Sequence, residues 1–168
     1  MSHAIVSLHQ VSKGFNDGDK YHQVLAGINL SINPADTVAL TGPSGSGKST
    51  LLNIIGGFEF IKQGQLLLNG SDTANWQDKQ WSQFRRQHLG VVFQQFNLLT
   101  PLNVRDNIAF SLRLNQQAWS PWCDYLLSQL GLDEVKSRNV ETLSGGQQQR
   151  LVIARAIAIE PEVLLLDE

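Results

Sequence analysis

A single cysteine, Cys123, occurs in the 168 residues, which excludes an internal disulfide framework and suits a reducing compartment. Within WCDYLL that cysteine reads as a small buried hydrophobe, not a reactive thiol. Long apolar runs are missing too. Stretches such as LLNII and VLLL fall far short of the ~20 residues a membrane-spanning helix needs. The N-terminal MSHAIVSLHQ has no basic stretch followed by an apolar one and reads as no secretory signal. Any membrane role is therefore expected to come through a partner. Excess charge of either sign is absent, with 13 Lys and Arg against 15 Asp and Glu, so no nucleic-acid surface is expected. Repeats and low-complexity tracts are likewise absent. What is there, 42% hydrophobic and 17% charged residues, is the composition of an ordinary globular domain with a sizeable core.

Local patterning divides the chain. Ile5 to Val11, Val24 to Ile32 and Gln65 to Leu68 are rich in aliphatic and β-branched residues and predict strands. Gly14 to Lys20, with its NDGD, predicts a turn. TVALT (37–41), LGVVF (89–93) and VLLL (163–166) are short apolar runs of the kind expected for strands buried on both faces of a parallel sheet. Helices are expected over Ser49 to Ile55, ended by Gly56-Gly57, and over Asn103 to Leu114 and Pro121 to Leu130. Another should start near Ser144, a good N-cap, and run to about Ile159 before Pro161. Strands alternating with helices give an α/β fold with a mostly parallel sheet. An N-terminal β region precedes it and a helical insertion occupies roughly 95–147, leaving 1–94 and 148–168 as the core. Trp76, Trp81, Trp119 and Trp122 read as helix-packing residues, and Arg85 and Arg86 as a solvated face.

The segment Gly42-Pro43-Ser44-Gly45-Ser46-Gly47-Lys48-Ser49-Thr50 matches G-x-x-x-x-G-K-[ST]. Glycines let the backbone curl so that successive N–H groups wrap a phosphate, and the following helix adds the positive end of its dipole. Lys48 supplies a mobile charge for the β- and γ-phosphates, and the Ser49 hydroxyl a ligand for Mg²⁺. The expected ligand is ATP with Mg²⁺. A background match in a chain of this length has a probability of roughly one percent. Downstream, VLLL runs into Asp167-Glu168. An acid at the end of a buried strand can hold the Mg²⁺ shell, and a second can take a proton from attacking water. Alone that pair is a weak motif, since many strands end in an acid; the phosphate loop upstream makes the functional reading the stronger one.

Between these motifs lies Leu143 to Gln147, LSGGQ, followed by Gln148, Gln149 and Arg150. Ser144, Gly145 and Gly146 at a helix N-terminus present backbone N–H groups and a hydroxyl, a second anion site. This string, in this order relative to the other two motifs, resembles the signature of ATP-binding-cassette (ABC) ATPases. The resemblance covers nearly the whole chain. It implies an ATPase that sandwiches two ATP molecules in a head-to-tail homodimer, with Ser144 to Gln147 of one subunit closing on the γ-phosphate held by the other. It assigns Gln94 to the glutamine loop, touching Mg²⁺ and the attacking water, with Gln95 the weaker candidate. It assigns Phe15 to adenine stacking, a position where many relatives carry tyrosine and where Tyr21 follows nearby; core packing is the competing reading of Phe15. Asp167 and Ser49 become metal contacts, and Glu168, Lys48 and Gln94 catalytic residues. VVFQQFNLLTPLNVRDNIAF with LSGGQQQR looks most like the branch serving lipoprotein release and macrolide export, although Leu166 stands where that branch often has alanine.

The family pattern continues beyond the Asp-Glu pair with a loop, a strand and a histidine that contacts the γ-phosphate. His3, His9, His22 and His88 all lie upstream and do not match it. The expectation from sequence is thus a truncated ATPase, slow in turnover, with a gap in its central sheet. Its role would be the ATPase subunit of a transporter on the cytoplasmic face, working with an integral membrane permease through 95–147, the segment FNLLTPLNV foremost. Two other readings are a soluble ABC-type ATPase of DNA repair or translation, and a non-catalytic nucleotide-binding fragment. The first of these usually carries coiled-coil insertions or two cassettes, and this chain has neither.

Overall fold

A computed structural model describes residues 4–18 and 20–167. The chain divides into two compact units, Met1–Ser82 and Gln83–Glu168.

In the first unit, strands β1 (Val6–Asp17), β2 (Lys20–Ile32), β3 (Gln63–Leu68) and β4 (Ser71–Asp72) form an antiparallel sheet in the order β2-β1-β3-β4. Its apolar face begins with Val6 and Leu8, paired across to Leu68 and Leu66. The buried positions then jump to Val11. A bulge explains the change of parity: the ladder slips after Leu8, where Gln10 takes a left-handed φ of 50°. The stretch 14–20, read from sequence as a turn, is mostly ladder. Phe15 pairs with His22, Asn16 with Tyr21 and Asp17 with Lys20, and Gly18 leaves the ladder at φ 58°. A solvated ribbon needs no apolar residues, so its polar composition concealed the pairing.

Helix α1 (Lys48–Ile55) follows the glycine loop and buries Leu51, Ile54 and Ile55. Gly57 ends it in a left-handed turn at φ 68°, where a Cβ would overlap the Trp81 ring. Helix α2 (Asp78–Gln87), not anticipated from sequence, carries Asp78 in its first turn and Arg85 and Arg86 in its last, matching its dipole.

The run 37–41 departs from expectation. It forms no strand, and Val38 is 45% exposed. A strand is defined by a hydrogen-bonded neighbour, and among the described residues TVALT has none.

The second unit holds β5 (Leu89–Val92) and β6 (Val163–Leu166), paired in parallel with Val92 opposite Leu166. β6 was expected to be buried on both faces; Leu165 is, but Leu164 and Leu166 are 42% and 54% exposed. Alternate side chains of the strand face opposite ways, so the face of Val163 and Leu165 is covered and that of Leu164 and Leu166 is open. Helices α3 (Val104–Leu114), α4 (Pro121–Gln129) and α5 (Gly145–Ile157) form as expected, within one or two residues at their ends. Their starts follow local chemistry: Asn103 Oδ1 accepts from Asp106 N at 2.7 Å, Pro121 occupies the first turn of α4, and Ser144 caps α5. Val104, Ile108 and Leu112 of α3 join Leu126, Leu127, Leu132 and Leu151 in one apolar cluster. Cys123 is fully buried in it, as expected of a small hydrophobe. Trp119 and Trp122 pack against the same cluster.

Candidate nucleotide-binding site

The glycine loop is built by backbone conformations that side chains resist. Gly42, Gly45 and Gly47 take φ of 155°, 79° and 90°. Gly47 is the N-cap of α1 and is buried; a Cβ there would lie 2.8 Å from Val24 Cγ1 and 2.9 Å from Leu25 Cδ2 of β2. The loop thus needs glycine at 47 twice over, for its φ and for its seat on the sheet. Pro43, Ser44, Gly45 and Ser46 form an exposed arch, closed by Ser46 N donating to the Pro43 carbonyl at 3.2 Å. Lys48 Nζ donates to the Gly42 and Pro43 carbonyls at 3.0 and 2.9 Å. The ammonium is therefore already held over the mouth of the arch. Ser49 and Thr50 continue into the first turn of α1, which contains no acid to compete with a phosphate.

Phe15 lies in β1, 41% exposed, with Lys13 Nζ 5.1 Å from its ring centroid. Its ring is thus a surface platform and not core packing. Tyr21, on the facing strand, has Lys62 Nζ 3.8 Å from its ring centroid.

In the second unit two expected residues share one sheet end. Asp167 directly follows β6 and its N–H donates to the Val92 carbonyl at 3.0 Å, extending the ladder. Gln94 follows β5 by two residues and is exposed in a bend. Both therefore sit beyond the carboxyl ends of adjacent parallel strands, where ligands of α/β sheets bind. Their donors, an amide and a carboxylate oxygen, are the hard ligands Mg²⁺ takes, one or two from protein with phosphate and water completing the shell. Among the described residues there is no group of three or more His, Cys, Asp or Glu able to hold a metal by itself. That chemistry fits a phosphate-shared ion and not a closed protein cage. Glu168 lies outside the described residues.

At the start of α5, Ser144 Oγ accepts from Gln147 N at 3.3 Å while Gln147 Oε1 accepts from Ser144 N at 2.9 Å, a capping box. A Cβ at Gly145 would have no neighbour within 4 Å, and one at Gly146 would meet only the Arg150 tip at 3.9 Å. Neither glycine is at positive φ. Glycine is a poorer helix former than alanine, and neither position shows strain or crowding within the chain that requires it.

Two residues with structural claims on these segments escaped the sequence reading. Asn107 of α3 is fully buried; it accepts from Leu99 N at 2.9 Å and donates to the carbonyls of Leu99, Leu102 and Asn103 at 3.0–3.2 Å. It therefore fastens the 99–103 loop to α3. Arg155, in the last turn of α5, donates to the carbonyls of Phe96 and Asn97. The available signals were a polar residue on the apolar face of α3 and a lone charge inside LVIARAIAI.

Residues 25–168 match the profile of the family described as ABC transporter. The sulfate/thiosulfate import ATP-binding protein CysA of Pseudomonas putida is 42% identical over 97% of this chain and 49% of its own length. The lipoprotein-releasing system ATP-binding protein LolD 1 of Rhodopseudomonas palustris is 38% identical over 98% of this chain and 75% of its own. The bacitracin export ATP-binding protein BceA of Halalkalibacterium halodurans is 33% identical over 98% and 66%. The chain spans about half the length of the sulfate/thiosulfate import proteins it matches, and the relatives include import as well as export and release systems. A dimeric ATP-binding cassette solved in a post-hydrolysis state with ADP and Pi superposes with a TM-score of 0.88 at 35% identity, covering 97% of this chain and 73% of that one.

Proposed function

The chain belongs to the ABC transporter family, in its ATP-binding domain, and from that premise we propose that it binds and hydrolyses ATP to power transport. It would act as a homodimer attached to an integral membrane permease on the cytoplasmic face. The observation that carries this reading is the phosphate loop: three glycines at positive φ, a glycine N-cap, and Lys48 poised on the loop carbonyls. The loop N–H groups and Lys48 bind the β- and γ-phosphates, and Phe15 stacks on the base. Ser49, Gln94 and Asp167 would hold Mg²⁺, which when bound neutralises charge on the β- and γ-oxygens. Glu168 accepts the proton of the attacking water. Ser144 to Gln147 of a second copy supplies N–H donors to the γ-phosphate, which accounts for two open glycines on α5. Closure on ATP and opening after hydrolysis would then pass through 95–147 to the permease. No helix among the described residues is long and apolar enough to cross a membrane.

Nucleotide titration and ATP turnover of the unaltered chain, with light scattering of Glu168→Gln in the presence and absence of Mg²⁺-ATP, test the reading together. The expected result is micromolar to millimolar ATP affinity, as for substrates generally, with a dimer that forms on ATP. No nucleotide binding at millimolar ATP would sink it. A second reading, a chain that binds ATP but turns it over slowly, is favoured by the unladdered run 37–41 that leads into the loop. Binding without measurable hydrolysis would select it.

A further inference from the structure

Helix α5 carries Ser144 to Gln147 at its start and Arg155 in its last turn, roughly 15 Å along the same rod. From there the guanidinium reaches the stretch just after Gln94. Nη1 donates to the Asn97 carbonyl at 2.8 Å and Nη2 to the Phe96 carbonyl at 3.2 Å. Successive carbonyls of an extended chain point to opposite sides. Asn97 takes φ 47°, a left-handed conformation that breaks this alternation and lets both face one fork. The Phe96 side chain packs against Val92 of β5 and Val152 and Ala156 of α5, so the stretch is held by its ring as well.

The charge itself is costly to place there. Burial lowers the Arg155 pKa from its ordinary value. Among the described residues no carboxylate pairs with it. Two main-chain carbonyls are its partners, and a fixed two-pronged donor suits them as a point charge would not.

We propose that Arg155 is a positioning residue, fastening the Gln94 segment to the signature helix so that Gln94 follows any movement of α5. The catalytic consequence rests on the reading of Gln94 as a Mg²⁺ and water contact; the clamp does not. Displacement of the anion site at the start of α5 is thereby felt at the carboxyl end of β5, through one helix and two hydrogen bonds.

The test is ¹⁵N relaxation and carbonyl ¹³C NMR on the 168-residue chain and on Arg155→Gln and Arg155→Lys. In the unaltered chain the amides of 95–98 should be ordered, with order parameters near about 0.85. In Arg155→Gln they should fall toward about 0.6 or below, and the Phe96 and Asn97 carbonyl resonances should shift, while α3 and α5 stay ordered. Arg155→Lys, which keeps the charge and loses the fork, should recover less than half of the order; it also decides the question if Arg155→Gln does not fold. Unchanged order at 95–98, disorder spread equally over α3 and α5, or complete rescue by lysine would each overturn the clamp. Adding Mg²⁺ with a non-hydrolysable ATP analogue separates the two claims. The Gln94 side-chain resonance should move in the unaltered chain and move severalfold less in Arg155→Gln. If it does not move in the unaltered chain, the Gln94 reading fails while the nucleotide-free comparison still decides the clamp.

Discussion

Two glycine-rich segments open helices in this chain, and they use glycine for different reasons. In 42–47 the glycines stand at positive φ, and Gly47 is pressed against Val24 and Leu25; the loop cannot be built from other residues. In Gly145-Gly146 the backbone is helical and the space around is open, so alanine would fit and would strengthen the helix. The first segment is shaped from within its own unit. The second has no such requirement from the residues around it, and the proposed contact with a second copy is what would use its openness. Glycine by itself therefore says little; its φ and its surroundings separate a structural need from a binding one.

Substitutions can sharpen or break that contrast. Gly47→Ala should have the largest effect, a loss of about 2–4 kcal/mol from strain and overpacking, read by urea unfolding, together with loss of nucleotide binding. A stability loss under about 1 kcal/mol would show that the loop relaxes easily. Lys48→Ala should leave unfolding nearly unchanged, since its two bonds are exposed. It should lower ATP affinity by about ten- to a hundredfold, the worth of one or two charge-assisted bonds, measured by fluorescent-nucleotide titration. Ser144→Ala breaks the capping box and should cost about 1 kcal/mol in the same unfolding assay. Gly146→Ala should go the other way, adding up to about 1 kcal/mol of stability while weakening ATP-dependent dimer formation in light scattering. Destabilisation by that alanine would end the contrast between the two segments.

The smallest effect concerns pH. The hydrogen bond from Gln65, and after it the Ala74 backbone N–H, lowers the Asp72 pKa below its ordinary value. A depressed carboxylate contributes stability above its unfolded pKa and loses it as pH falls through the folded value. Asp72→Ala should therefore lower the urea midpoint slightly at neutral pH. The difference from the unaltered chain should start to shrink near pH 4, about the unfolded value, and be lost only as pH falls further through the lowered folded value; exposure of the carboxylate keeps it small throughout.

Helices were legible because their signals are local. Ser144, Asn103 and Pro121 each mark a start through chemistry within one turn, and the structure places α5, α3 and α4 accordingly. Strands were legible only where a neighbour exists. LGVV and VLLL became β5 and β6, while TVALT, of similar apolar character, did not. Arg155 and Asn107 were visible as polar residues in apolar runs, but their roles depend on carbonyls brought to them by the fold.

By itself, then, the sequence determined the phosphate loop, the signature segment, the Asp167 strand end and the family they spell. Each is a short run whose chemistry is complete within a few residues. Tertiary structure alone decided which apolar runs pair, that the bulge at Gln10 moves the buried face of β1 from Leu8 to Val11, and that the Gln94 segment is fastened to α5. Ladder partners and desolvated hydrogen bonds lie far apart along the chain. No local pattern can carry them, because the partner that fixes each one arrives only when the chain has folded.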